Sequence, residues 1–143
     1  MGRVRIVIGS DFPKVVIPLI KDAEKSIKII VYDWRWYPQN PGASCQRFNQ
    51  SILSAHKRNV KVEAITNTRK TVQRLKKIGV GAKILHSYKL VHIKLMIIDD
   101  EKIIVGSHNY SESAFEKNYE LSVLLENPKN KGRFINFFNN LYG

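Results

Sequence analysis

Short segments rich in Val and Ile alternate along the chain with longer amphipathic ones, and this interleaving constrains the fold more than any other feature. A chain that switches repeatedly between the two-residue and the 3.6-residue hydrophobic period is building an α/β domain. Strands are expected over Val4 to Ile8, Ile27 to Asp33, Val60 to Thr66, Ala82 to His86, Val91 to Asp99, Lys102 to Gly106 and Tyr119 to Glu126. Helical spacing covers Pro13 to Glu24, Cys45 to Arg58, Thr71 to Ile78 and Gly132 to Leu141. Pro18 falls inside the first of these and is expected to kink it or delay its start. Asp100 and Glu101, between two apolar runs, predict a tight hairpin turn that makes the strands on either side neighbours.

At 143 residues the chain reads as one domain, 1–143, without repeat, low-complexity tract or linker; Tyr37 to Gly42 is an irregular loop. Its 43% hydrophobic and 25% charged residues fit a folded globular protein and exclude a disordered basic tail. The only cysteine, Cys45, excludes an intrachain disulfide framework and a Cys-rich zinc site. The apolar run after Met1 is short and broken by Arg5, which predicts no signal peptide, no stable membrane insertion and a cytoplasmic location. Twenty-four Lys and Arg against twelve Asp and Glu give a net charge of +12, so a polyanion is the expected partner. Between Glu63 and Asp99 there are eight cations and no acidic residue. Arg69, Lys70, Arg74, Lys77 and Lys89 of this stretch are the candidate nucleic-acid contacts. Taken singly, each equally suits a solvated surface; the sum of charge carries the argument.

The chemistry concentrates in His92-Ile93-Lys94, four apolar residues, Asp99, six further residues, then Gly106-Ser107-His108-Asn109. His92 and Lys94 are two apart, as are Ser107 and Asn109, so on strands each pair shares a face. Pairing across the hairpin brings an imidazole, an ammonium and two small polar groups to one end of the sheet. Such a cluster suits a phosphodiester. Lys94 and the Asn109 amide can hold non-bridging oxygens, Ser107 can add a hydroxyl contact, and Gly106 lets the backbone come close. Asp99 is seven residues from His92, an odd separation that turns it to the opposite face, where its expected task is to fix the hairpin by hydrogen bonds. His108 should face away from its neighbours and serve structure, and His56 reads as a helix-surface residue.

This spacing resembles the His-x-Lys-x4-Asp-x6-Gly-Ser-x-Asn (HKD) motif of the phospholipase D superfamily. Six identities at fixed spacing arise by chance at a given start on the order of 10⁻⁸ of the time, taking about 5% usage per residue type. The run Ser54 to Val62 also looks like that family, and the size resembles its small single-motif bacterial endonucleases. The resemblance implies an α/β fold with a mixed sheet of about seven strands flanked by helices on both faces. It also implies that one histidine attacks phosphorus to form a phosphohistidine while a second protonates the leaving oxygen and then activates water. In this reading Glu120 orients the catalytic histidine, and neither metal nor cofactor is needed. No second His-x-Lys is present, since the other histidines sit in His56-Lys57, His86-Ser87-Tyr88 and His108-Asn109-Tyr110. The chain holds half a site, which a twofold homodimer would complete.

Three function classes share these residues. The charge and the acid-free stretch favour a metal-independent nuclease acting on DNA or RNA. The alternatives are a phospholipid-cleaving hydrolase of phospholipase D type, with Trp34, Trp36 and Tyr37 at a bilayer, and a nucleic-acid-binding subunit of a larger system. Stacking on bases and capping of the core are the other roles open to those aromatics, and capping is the usual outcome.

Overall fold

The computed structural model describes residues 2–143. Seven strands form one sheet: β1 (Arg3–Ile8), β2 (Ser26–Val31), β3 (Lys61–Thr66), β4 (Gly81–Lys83), β5 (Lys94–Ile98), β6 (Lys102–Gly106) and β7 (Leu121–Glu126). The helices are α1 (Asp11–Asp22), α2 (Ser44–Lys57), α3 (Arg69–Lys77) and α4 (Lys131–Tyr142), with one π-helical turn at Ser113–Lys117. The strand order is β1-β7-β6-β5-β2-β3-β4. β2, β3 and β4 are parallel, while β5, β6, β7 and β1 continue the sheet antiparallel, so the sheet is mixed.

Alternation along the strands splits the core in two. On one face Ile27, Ile29, Met96, Ile98, Ile104 and Leu124 meet Phe12, Val16 and Ile20 of α1, Phe48 and Ile52 of α2, and Val72 and Leu75 of α3. On the other, Ile30, Ile65, Leu95, Ile97 and Ile103 meet Phe138 of α4. Helix α1 runs unbroken through Pro18, which faces solvent. Because α4 is the only helix on its side, the outer strands stay bare there: Val4, Ile6 and Ile8 are 68%, 61% and 58% exposed and Leu121 52%. Among the described residues no helix is long and apolar enough to cross a membrane.

Most element ends fall within a few residues of the sequence reading, with β2 ending at Val31 rather than Asp33 and β7 beginning at Leu121 rather than Tyr119, and three differences near the motif have a backbone cause. β5 begins at Lys94 rather than Val91, because its neighbour β2 ends at Val31, the residue paired with Lys94. Beyond that point the Asp33 backbone turns away to bond with Asn109 and Tyr110, and His92 has no ladder partner. β4 stops at Lys83, three residues before His86, as a short edge strand. The β5–β6 turn is centred on Asp99 and Asp100, one residue earlier than expected, with φ of +56° and +53° and the Glu101 N–H donating to the Ile98 carbonyl at 3.0 Å. Consecutive left-handed residues match the twist of paired strands, and Asp tolerates that conformation better than most side chains.

Two polar contacts, one half-buried and one buried, tie this framework together. The Asp99 carboxylate accepts backbone N–H bonds from Glu24 (3.0 Å), Lys25 (2.7 Å) and Ser26 (3.0 Å), clamping the hairpin to the α1–β2 connection. Partial burial disfavours its charge, but these donors and nearby Lys102 outweigh that and hold the carboxyl below its usual range. His108 is buried against Phe12, ring centroids 4.4 Å apart. Its Nε2–H donates to the Gly9 carbonyl at 3.0 Å and Nδ1 accepts from the Ser122 hydroxyl at 2.7 Å, the pairing expected of a neutral ring. Burial pushes its pKa down, against the opposing pull of the Gly9 bond and Glu120. Gly106 lies across from Ser122, so close that a Cβ would stand 2.4 Å from the Ser122 Cα.

Two stability outcomes follow. Asp99→Asn leaves part of the three-donor set without an acceptor and should cost about 2 kcal/mol in urea unfolding at pH 7, with an unchanged m value. Because folding disfavours the His108 imidazolium, the unfolded chain takes up that proton first, near its ordinary pKa of 6.5. Stability should therefore fall as pH drops below about 6.5, and His108→Gln should flatten the melting temperature between pH 7 and 5. The Asp99 contribution is lost only below 3.8, outside that window.

Candidate active site

The motif residues gather where β2 and β6 end and β5 and β7 begin. Lys94 is the first residue of β5, and its Nζ lies 3.3 Å from Nδ1 and 3.5 Å from Nε2 of His92. The His92 ring is exposed on one side and rests against Tyr32, centroids 5.0 Å apart, while the Lys94 ammonium stands 5.8 Å above the same Tyr32 ring. The segment before His92 is fixed by the residue after β3, where the Asn67 amide donates to the Val91 carbonyl at 2.8 Å.

Register brings the second cluster opposite. Leu95 pairs with Val105, so continuing the ladder sets Lys94 across from Gly106. Just past it, the Ser107 hydroxyl donates to Glu120 Oε1 at 2.5 Å and accepts from the Leu121 N–H at 3.0 Å. Its single proton is thus committed, and Ser107 fixes the Glu120 carboxylate rather than offering a free donor. The other Glu120 oxygen accepts from Asn118 Nδ2 at 3.0 Å, and within the chain no hydrogen bond joins Glu120 to His92. Asn109 Oδ1 accepts the Asp33 N–H at 3.1 Å, which leaves its amide N–H₂ to donate elsewhere. His108 points the opposite way from Ser107 and Asn109, into the core.

The candidate cations divide by place. Arg69, Lys70, Arg74 and Lys77 are exposed on α3, and Lys89 is exposed in the β4–β5 connection. Lys70 and Arg74 line a groove that reaches Asp33, whereas Arg69 lines a separate cleft of about 330 Å³ with Lys83 and His86. Cys45 is fully buried, and burial, with Glu112 and Asp33 nearby, pushes its thiol far above the ordinary value, so it is no nucleophile. Among the described residues no three His, Cys, Asp or Glu side chains are grouped to hold a metal ion.

Sequence reasoning missed Tyr32, Asp33, Asn67 and Thr68. All four lie just beyond the carboxyl ends of β2 and β3, the place where sheets of this kind hold ligands, and that rule was the available signal.

Chemically, the arrangement offers a nucleophilic ring nitrogen, an ammonium beside it, a free amide donor and an anchored carboxylate. Comparison with known proteins bears on the family and the fold. A family model described as a cardiolipin synthase, PLD-like domain, matches residues 16–142. A protein named phospholipase D from Rickettsia prowazekii (strain Madrid E) is 30% identical over 124 residues, covering 81% of this chain and 55% of that protein. The chain thus spans about half the length of that relative. NucT from Helicobacter pylori superposes with a TM-score of 0.79 at 21% identity, covering 99% of this chain and 96% of that one. Nuc from Salmonella typhimurium, a phospholipase D family member, does so with the same score and identity, covering 99% and 95%. At such identity the structural likeness speaks for the fold alone. The family match extends over nearly the whole chain and includes the His92-to-Asn109 motif, and the chain belongs to the phospholipase D superfamily.

Proposed function

We propose that this protein is a phosphodiesterase that cleaves nucleic acid through a covalent phosphohistidine, in an active site completed by a second copy of the chain. The observation that carries the reading is the Lys94 ammonium 3.3 Å from the His92 ring, with a free Asn109 amide at the same sheet end and only one such set per chain. His92 attacks phosphorus, forming a P–N bond as the P–O bond to the leaving group breaks. The partner subunit's His92 gives its proton to the departing oxygen and then takes one from water, whose oxygen displaces His92 from phosphorus. Lys94 and Asn109 stabilise the negative charge that builds on the non-bridging oxygens. No step calls for a metal ion.

The bare sheet face supports the second copy. Val4, Ile6, Ile8 and Leu121 share one side of β1 and β7, and Phe137 of α4, 47% exposed, adds to the apolar surface. The patch begins at Ile8 and Leu121, next to Gly9 and Glu120, so it is continuous with the half-site. Contiguous exposed apolar surface of this kind marks an interaction face. A twofold contact there would bring two half-sites to one interface. The net charge of +12 and the exposed cations of α3 favour nucleic acid over an electrically neutral substrate.

The test is cleavage of labelled single- and double-stranded DNA and RNA in excess EDTA, beside vesicles containing phosphatidylglycerol. Nucleic-acid cleavage should persist in EDTA, fall at least about a thousandfold in His92→Ala, and follow a bell-shaped pH profile belonging to the histidine pair. Hydrolysis of the lipid alone would overturn the nucleic-acid reading. Ile6→Asp should yield monomers by sedimentation and lose activity in parallel; a fully active monomer would remove the shared site.

A further inference from the structure

The groove beside Asn109 holds a set of groups that the proposed chemistry does not use. It measures about 270 Å³, close to the lower end for small-ligand pockets, and runs between the Asp33–Trp36 segment and α3. Its floor is rigid. The Thr68 hydroxyl donates to Asp33 Oδ1 at 3.1 Å and accepts the Trp34 N–H at 2.9 Å, while the Trp34 indole N–H donates to Asn49 at 2.7 Å. The groove is also bolted to the active site, because the Asp33 N–H donates to Asn109 Oδ1.

Its walls combine an aromatic ring with unpaired positive charge. Trp36 is half-buried against Trp34, ring planes 21° apart, and the Arg74 guanidinium stands 5.3 Å from the Trp36 centroid. Lys70 lies one helical turn before Arg74, so both project from the same side of α3. Arg35 is engaged by Asp33 at 2.9 Å, but neither Lys70 nor Arg74 has an acidic partner among the described residues. Two unneutralised cations, one spread over an indole, form an arrangement that a nucleotide complements. A guanidinium plane over an aromatic ring offers its outer face to a base, and an ammonium beside it takes a phosphate as a point charge.

We infer that this groove is a substrate subsite for one unpaired nucleotide next to the scissile phosphate, with Arg74 stacking on the base and Lys70 holding the adjoining phosphate. The inference rests on the nucleic-acid reading above and names where the strand runs once it leaves His92. A base paired in a duplex keeps both faces within its own stack, so only an unpaired one can lie on Arg74.

The decisive variants are Arg74→Lys, which keeps the charge and removes the planar stack, and Lys70→Gln. Both positions are exposed, so folding is not at stake. The probes are a single-stranded oligonucleotide of about ten residues and bis-para-nitrophenyl phosphate, a diester too small to span both sites. Arg74→Lys should raise the oligonucleotide KM about tenfold, in line with the loss of one stacked base, with a far smaller change for the aryl diester. Lys70→Gln should lower the slope of log affinity against log salt by about one. Equal oligonucleotide KM for wild type and Arg74→Lys overturns the subsite while leaving nuclease activity intact. Wild-type protein that hydrolyses the aryl diester but no oligonucleotide overturns the nucleic-acid reading, and the subsite with it.

Discussion

The geometry at the motif end of the sheet depends on a carboxylate at the other end. Asp99 sits at the closed tip of the β5–β6 hairpin and is held by three backbone N–H groups of the Glu24–Ser26 segment. That segment leads directly into β2, the strand on which β5 lies antiparallel. This clamp acts with the β2–β5 ladder, which runs from Ile27 opposite Ile98 to Val31 opposite Lys94, in setting the height of the hairpin and with it that of Lys94 and Gly106 at the open end. The motif spacing is the length of this device written as sequence. β5 and β6 contribute arms of five residues each, joined by a three-residue turn, so the functional groups beyond each arm arrive level with one another.

This explains how much of the molecule was legible from the residues alone. The strands and helices announce themselves by period, and the hairpin by its acidic pair, although left-handed Asp99 shifts the turn by one position. Strand alternation predicts His92 and Lys94 on one face, but His92 precedes the strand, and the two meet because the Lys94 side chain is long enough to reach back. Glu120 likewise stands outside β7, its carboxylate turned to Ser107 and Asn118. Local pattern cannot report such contacts. Tyr32 and Asn67 were invisible for a related reason: their neighbours come from β5 and its approach, far along the chain, and nothing in their own surroundings carries that information.

The two faces of the sheet are unequally served. Three helices and a π-helical turn enclose one side, whereas α4 alone spans the other and reaches the strands on one half of the sheet only. On β1 it is the open side that carries the apolar row Val4, Ile6 and Ile8, while Arg3 and Arg5 stand on the other side. The bare face and the motif meet at one point, since Ile8 and Leu121 adjoin Gly9 and Glu120 at the end of the sheet that carries Ser107.

Between Ser107 and Asn109 the backbone alternates outward, inward, outward, and the inward residue, His108, is gripped by Gly9 from before α1 and by Ser122 from β7. In the motif this position is written as free. In the folded chain it has the least freedom of the three, because its ring joins segments that reach the sheet end from three parts of the sequence. A change there would be felt first by the flanking serine and asparagine, neither of which it touches chemically. The unspecified letter of the pattern is where the aim of the specified ones is set.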